Sequence, residues 1–237
     1  MNIKDLINMY EEYRRKYGVN AFKKISSLLK EAKEIHRRDF LTSPTAKRAK
    51  AKGRQPDHEQ SWRAFKGKNL EKLVVHIIKN EINNVGLKII EGNKLERTKG
   101  SNLSVELGRI KRNLLVDYGE FGAHLPDVDI VIYDPKTFKV IAVISSKVTL
   151  RERIAQTGYW KLKLASDKVT KHIKVYFVTP DEDGTLMHKE PIKKGRAIVE
   201  VDLDGSYLLC DDDVEESEKV KTFDKFIEDL KILITTT

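Results

Sequence analysis

The sequence has very little cysteine and no long apolar run. Cys210 is the single cysteine among 237 residues, so no disulfide can form within the chain and no zinc site can be built from cysteines. The N-terminal segment MNIKDLINMYEEYRRKYG is charged throughout and lacks the apolar core of a secretion signal. No apolar run reaches the ~20 residues of a membrane-spanning helix. These absences predict a cytoplasmic protein that is neither exported nor embedded in a membrane.

Positive charge is in excess. The chain carries 45 Lys and Arg against 36 Asp and Glu, a formal net charge of +9. This excess favours a polyanionic partner such as nucleic acid or an anionic surface. It is only a bias, because many lysine-rich proteins are basic without binding DNA.

The first third of the chain has helical periodicity followed by a basic segment. Apolar residues recur at helical spacing from Ile3 to Tyr17 and again from Phe22 to Ile35, which predicts two amphipathic helices. Residues 36–54 are rich in Lys and Arg and poor in apolar side chains, and they are typical of a mobile basic arm. The arm is either a solvated linker or a set of phosphate contacts that become ordered on binding.

Helices and strands then alternate. A third helix is expected from about Ser61, and residues 84–125 have no clear pattern. The segments DIVIYD and KVIAVIS, joined by an Asp-Pro-Lys turn, predict a β-hairpin. A helix from about Thr149 to Val169, the strand IKVYFVT, strands near AIVEVD and SYLLC and a last helix from about Val220 complete the prediction. The order is helix, hairpin, helix and strand, which is typical of an α/β (α+β) fold.

Polar side chains capable of metal-assisted chemistry meet at one end of the hairpin. Asp127 and Asp129 open its first strand and share a face, as do Ser145 and Lys147 at the end of its second strand. The four side chains converge if the hairpin register points both pairs the same way. Carboxylates of this kind hold Mg²⁺, and the backbone carbonyl of Ser146 can add a ligand. Lys147 would stabilise the charge that develops during phosphodiester hydrolysis. The alternative is a solvated turn and strand end, which is common for these residue types.

An acidic residue interrupts the apolar face of the third helix. Glu71 lies among Leu70, Leu73 and Val74, where a carboxylate is costly unless it has a partner such as a metal ion. It can equally occupy an exposed position beside the apolar stripe.

The residues around the hairpin resemble a known superfamily. PDVD, followed after about twenty residues by SSK, resembles the PD-(D/E)xK nucleases. KVTLRERIAQT resembles type II restriction endonucleases in which a Lys-x-x-x-Arg-(Asp/Glu)-Arg segment follows the catalytic lysine. The helix SWRAFKGKNLEKLVV, with Gly67 four residues before Glu71, is similar to the first helix of many such enzymes. The resemblance extends from about Ser61 to Thr157.

The resemblance implies a restriction-endonuclease-like core with a central mixed β-sheet flanked by helices. It also implies Mg²⁺-dependent cleavage of double-stranded DNA and a homodimer. Asp127 takes the place of the Asp in the PD half-motif and Lys147 that of the lysine, with Asp129 as a second acid. The pattern is broken at Ser145, where an acid is expected, and a serine cannot replace a carboxylate as a strong metal ligand. Some enzymes that cut CCGG-like sites also have serine here and take the acid from a helix. Glu71 is our candidate for that acid.

The Arg-Glu-Arg segment is a candidate for reading the DNA sequence. Arg bonds guanine O6 and N7 bidentately and Glu accepts from cytosine N4, so Arg151, Glu152 and Arg153 suit G·C pairs, with Gln156 following on the same helix. The resemblance implies a palindrome containing CCGG, or CC and GG separated by a base or so. A surface salt-bridge pattern at a helix start is the alternative.

These observations predict a type II restriction enzyme with a helical extension and basic arm over residues 1–58 and a nuclease domain over residues 59–237. Two alternatives stay open. A repair or recombination nuclease on the same core would recognise DNA structure, and a DNA-binding module with a degenerate site would not cut at all. Ser145 is the best argument for the second.

Overall fold

The computed structural model describes residues 1–98, 102–150 and 153–235. In this part of the chain a mixed six-stranded sheet lies between two layers of helices, which confirms the predicted fold class. None of the described helices is long and apolar enough to cross a membrane.

The first half of the chain is mainly helical. Its helices and strands, in chain order, are α1 (Ile3–Tyr17), α2 (Ile25–Thr42), α3 (Pro44–Ala51), α4 (His58–Asn84), β1 (Lys88–Glu91), α5 (Gly92–Arg97), α6 (Val105–Arg112), β2 (Val116–Asp117) and β3 (Ala123–His124). Short 3-10 helices occupy Gly18–Lys24 and Gly119–Phe121.

The second half supplies most of the sheet. Its elements are β4 (Ile130–Tyr133), β5 (Val140–Ser146), α7 (Arg153–Ser166), β6 (Lys174–Thr179), α8 (Lys194–Asp202), β7 (Gly205–Leu208), β8 (Val220–Thr222), a 3-10 helix (Phe223–Lys225) and α9 (Phe226–Thr235).

The predicted hairpin forms the centre of the sheet. The strand order is β1-β4-β5-β6-β7-β8, in which β1, β4 and β5 pair antiparallel and the strands from β5 to β8 pair parallel. Ile130 pairs with Ile144, and Asp134 closes the turn by accepting hydrogen bonds from the Lys136 amide and the Thr137 hydroxyl. The end of β5 therefore lies beside the start of β4, as the sequence predicted.

Each face of the sheet has its own apolar core. On one face Ile130, Ile132 and Ile144 pack with side chains of α1, α2, α4 and α9. On the other face Val131, Val143 and neighbouring residues pack with side chains of α5, α6, α7 and α8. The near-continuous apolar sequences of β4 and β5 follow from this, since a strand covered on both faces needs apolar side chains on both.

The basic segment of residues 36–54 is helical rather than an irregular arm. α2 continues to Thr42 because His36 and Phe40 are buried, with His36 against Trp62 of α4. α3 then begins with Ser43 as its cap, whose hydroxyl accepts from the Ala46 amide. The prediction was wrong because a few well-placed apolar residues suffice to pack a helix whose other faces are basic and solvated.

Two predictions for the last third of the chain were also wrong. AIVEVD lies in α8, where Arg196, Val199 and Leu203 are buried at helical spacing. Val220 does not begin the last helix but pairs with Ser206 in β8, and the helix starts at Phe226. Short apolar runs fit either a strand or a helix, and only tertiary packing decides between them.

Gly92 fixes how α5 meets the segment that leads into β4. Its amide donates to the Asp129 carbonyl at 2.8 Å, and a Cβ at this position would lie 1.8 Å from the Val128 carbonyl oxygen. Only glycine allows this approach, so the backbone of residues 128–129 is held by a residue from the region that sequence reasoning left unassigned.

We expect Gly92→Ala to lower the free energy of unfolding by about 1–3 kcal/mol, because the added methyl group must displace backbone. Urea unfolding measures this. Gly108→Ala is the matched control, since Gly108 lies in α6 and no atom lies within 4 Å of where its Cβ would be. That control should gain up to about 1 kcal/mol from helix propensity. Equal stability of the two variants would contradict the proposed contact.

Candidate active site

The hairpin places Asp129 and Lys147 in direct contact. The Asp129 amide donates to the Ile144 carbonyl at 3.1 Å, so the antiparallel ladder extends past the start of β4. Lys147 Nζ then lies 2.8 Å from each carboxylate oxygen of Asp129. The Ser146 amide donates to Asp129 Oδ2 at 2.7 Å. These donors satisfy a carboxylate that is only 7% exposed.

Glu71 reaches the same lysine from α4. Its Oε1 lies 3.6 Å from Lys147 Nζ, and its side chain is largely buried. The apolar residues Leu70, Leu73 and Val74 are buried in the core around it and fix the orientation of the helix. The acid that interrupts the apolar stripe therefore faces the end of β5.

The burial of Glu71 and the nearby charge of Asp129 raise the energy of the charged form of Glu71. The pKa of Glu71 is raised from its ordinary value near 4.5 to about 7, first by burial and then by the negative charge of Asp129, while Lys147 opposes the shift. One ammonium thus serves two acids. When both carboxylates are ionised, the single positive charge of Lys147 neutralises only one of the two negative charges.

This donor set fits a hard divalent cation. Mg²⁺ is commonly held by one or two protein carboxylates, with water and substrate phosphates completing its shell. Asp129 and Glu71 supply that number of carboxylates. In residues 1–98, 102–150 and 153–235 there is no larger group of three or more His, Cys, Asp or Glu placed to hold a metal ion.

Asp127 takes part in a different contact. It is exposed, and its Oδ2 accepts a 2.7 Å hydrogen bond from Nε2 of Gln156 on α7. The structure thus brings one of the two predicted aspartates to Lys147, namely Asp129. Strand alternation predicted that Asp127 and Asp129 point to the same face of the sheet. Their side chains have different partners because Asp129 still pairs with the neighbouring strand, whereas Asp127 lies before the paired residues. The catalytic role of Asp127 stays a prediction.

The two serines that close β5 have different surroundings. Ser145 points towards α7, where its Oγ lies 3.2 Å from the hydroxyl of Thr157, a contact the sequence did not indicate. Ser146 is fully buried and contributes its amide to Asp129. Ser145, where the family pattern breaks, therefore contacts a second hydroxyl group, and the carboxylate of Glu71 lies near Lys147.

The candidate reading segment is partly described. Arg151 and Glu152 lie outside the described residues. Arg153 is exposed at the start of α7, and its Nη1 donates to Gln156 Oε1 at 3.3 Å. Because Gln156 also donates to Asp127, hydrogen bonds connect Arg153 to the segment that leads into Asp129.

Comparison with known sequences gives consistent matches. Residues 106–229 match the family model described as BsaWI restriction endonuclease type 2. A candidate type II restriction enzyme of Methanocaldococcus jannaschii, MjaVIP, is 41% identical over 176 residues, covering 72% of this chain and 76% of that protein. A second candidate enzyme of this type, HpyAORF263P of Helicobacter pylori, is 37% identical over 127 residues, covering 54% and 64%.

Solved structures give the same fold. The restriction endonuclease PspGI, in complex with substrate DNA, has a TM-score of 0.59 at 17% identity and covers 100% of this chain and 94% of that one. The restriction endonuclease AgeI, in complex with DNA, has a TM-score of 0.52 at 16% identity, covering 95% and 91%. The predicted restriction-endonuclease-like core is thereby confirmed.

In metal-free protein, wild type should lose stability relative to Glu71→Gln as the pH rises. The folded chain binds the Glu71 proton more tightly than the unfolded chain does. The stability that this proton contributes is therefore complete below about pH 4.5 and is lost as the pH rises past about 7. We expect a difference on the order of 1–3 kcal/mol at pH 8, allowing for solvent screening. Urea unfolding in chelator from pH 4.5 to 8 measures it.

Glu81→Gln removes an exposed carboxylate from the same helix and controls for the change in net charge. Parallel stability curves for wild type and Glu71→Gln would contradict the close approach of Glu71 and Asp129.

Proposed function

Because the chain belongs to the BsaWI family of type 2 restriction endonucleases and is a site-specific deoxyribonuclease, we propose that Asp129, Glu71 and Lys147 carry its cleavage chemistry with Mg²⁺. The observation behind this is the contact of Lys147 with both carboxylates, at 2.8 Å and 3.6 Å. The substrate is double-stranded DNA, and the reaction is hydrolysis of a phosphodiester bond.

Each residue has a distinct part in the proposed mechanism. Asp129 and Glu71 would hold the metal ion, with the Ser146 carbonyl as an additional ligand. An ion held there would supply polarisation of the scissile phosphate and a water molecule of lowered pKa. Lys147 donates hydrogen bonds from Nζ to the phosphoryl oxygens, where negative charge develops. The Ser146 amide keeps the Asp129 carboxylate in position.

The position of Asp127 favours a supporting role over direct metal binding. Its carboxylate accepts from Gln156, which in turn accepts from Arg153. We propose that this chain of hydrogen bonds couples the reading segment to the loop that carries Asp129. Ser145 keeps its place against Thr157 and does not replace the missing acid.

Sequence reading is assigned to Arg151, Glu152 and Arg153, with Gln156 as a further contact. Arginine forks suit guanine and a glutamate suits cytosine, so the proposed target is a palindrome containing CCGG or CC and GG with a short separation. A palindrome is read by two copies of the same surface, so the active form is a homodimer. The compartment is the cytoplasm, where cellular DNA is accessible.

The proposed nuclease domain covers residues 59–237. Residues 1–58 pack on the outer side of α4 through Leu6, Phe22 and Leu28, which belong to the same apolar core as Leu70. The N-terminal helices therefore brace the helix that carries Glu71.

Lys147→Ala and Asp129→Asn should each abolish Mg²⁺-dependent cleavage, a loss of at least about a thousandfold given the size of such electrostatic contributions. DNA binding should persist. The assay is plasmid digestion followed by sequencing of the fragment ends. Lys221→Ala is the matched control, because Lys221 forms an ion pair with Asp229 at 2.7 Å and its side chain is 25% exposed, as is that of Lys147.

The fragment ends also distinguish the alternatives. Discrete ends at one sequence support a restriction enzyme, random nicking supports a repair nuclease, and an intact plasmid supports a non-catalytic DNA-binding protein. Full activity of both active-site variants would overturn the assignment of Asp129 and Lys147.

Arg151→Ala should weaken binding to the cognate site far more than binding to random duplex. Each bidentate arginine–guanine contact is worth about 1–3 kcal/mol of discrimination, so the affinity ratio of the two duplexes should fall roughly tenfold or more. Titration of both duplexes without divalent cations gives this ratio. An equal loss on the two duplexes would assign Arg151 to a phosphate contact instead.

A further inference from the structure

A basic groove runs beside the candidate active site. It lies between α4, residues 147–149 after β5 and Arg153 at the start of α7, and it has a volume of about 450 Å³. Side chains of four cations line it, and among the described residues no carboxylate does. The groove is defined by Arg63, Lys66, Gly67, Lys147, Thr149 and Arg153.

The groove begins at the active site and follows one side of α4. Lys147 belongs both to its wall and to the carboxylate cluster. Arg63, Gly67 and Glu71 follow one another at four-residue spacing, so they lie along one side of the helix. Eight residues of helix rise about 12 Å. Along the axis of a duplex one strand advances roughly 3.4 Å per nucleotide, so the stretch from Arg63 to the acid at Glu71 corresponds to about three nucleotides.

Its wall and its floor suit a phosphate backbone. Lys66 is held by an ion pair with Glu182 at 2.6 Å, which fixes one cation along the wall. Arg63 is exposed, and its guanidinium can bond a phosphate bidentately. Gly67 contributes no side chain, and nothing lies within 4 Å of where its Cβ would be. The floor of the groove is therefore open between the two cations.

We infer that the basic groove binds the phosphates of the cleaved strand next to the scissile bond, with Arg63 as the main contact. This inference rests on the proposed function and adds residues that position the strand. Since cations line the groove up to Lys147, a strand held there delivers its next phosphate to the carboxylate cluster. The contact is to the backbone, so it acts on every sequence alike.

The first test is the salt dependence of binding to a random duplex, without divalent cations. Loss of one phosphate contact should lower the slope of log affinity against log salt by about 1 for Arg63→Ala. Gly67→Glu, which adds a carboxylate to the open floor, should lower both the slope and the affinity. Lys68→Ala is the control, because Lys68 is exposed on the same helix outside the groove and its loss removes the same charge.

The second test locates the contact. Single phosphates of the mapped target duplex are replaced by uncharged methylphosphonates, one at a time, on each side of the cut. Wild type should lose affinity when a methylphosphonate replaces one or more of about three phosphates next to the cut. Arg63→Ala should show no loss of affinity at that position, whereas Lys68→Ala should show the same loss as wild type. Sensitivity retained by Arg63→Ala, or a slope equal to that of wild type, overturns the inference.

These outcomes separate the two proposals. If wild type binds and cuts DNA while the Arg63 and Gly67 variants behave like Lys68→Ala, the inferred role of the groove in phosphate binding is overturned. The proposed function then stands. If wild type neither binds nor cuts DNA, both fail together. Thermal unfolding of each variant verifies that the fold is intact, and the absence of atoms around the Gly67 Cβ position predicts that it is.

Discussion

The buried carboxylate of Asp129 is the constraint on which the site depends. A charge that is 7% exposed has to be paired and hydrogen-bonded, and here Lys147 and the Ser146 amide do both. Both donors come from the end of β5. The Asp129 carboxylate reaches them only in the observed register of the hairpin, and its hydrogen bonds stabilise that register. Glu71 also approaches this pair, with its Oε1 3.6 Å from Lys147 Nζ.

The approach of α4 adds the second acid at a cost in stability. The apolar residues of α4 pack on the sheet and bring Glu71 towards Asp129, which raises the pKa of Glu71 to about 7. Such an arrangement is unfavourable for the empty protein and favourable for one that binds a cation. The same helix lines the basic groove, so one rigid element carries both the acid proposed to bind the metal and cations proposed to bind the DNA strand.

The hairpin, its polar ends and Glu71 were predictable because each depends on local pattern. Alternation along β4 and β5 predicts which strand ends meet, and an acid within an apolar stripe predicts a partner. The helix of residues 44–51 and the helical state of AIVEVD were not predictable, since such short apolar patterns are resolved only by packing against the rest of the protein. The groove was missed because Arg153 is far in sequence from Arg63 and Lys66, and each of these cations is ordinary by itself.

The sequence by itself determined the chemistry available at the end of the hairpin: two aspartates, a lysine, a serine where an acid is expected and a glutamate on an apolar helix. Only the tertiary structure decided which of them meet. It brings Asp129 rather than Asp127 to Lys147, because the antiparallel ladder extends to residue 129 and leaves residue 127 to Gln156. Alternation predicts the direction of a side chain only for residues that pair with a neighbouring strand, and the tertiary structure decides how far that pairing extends.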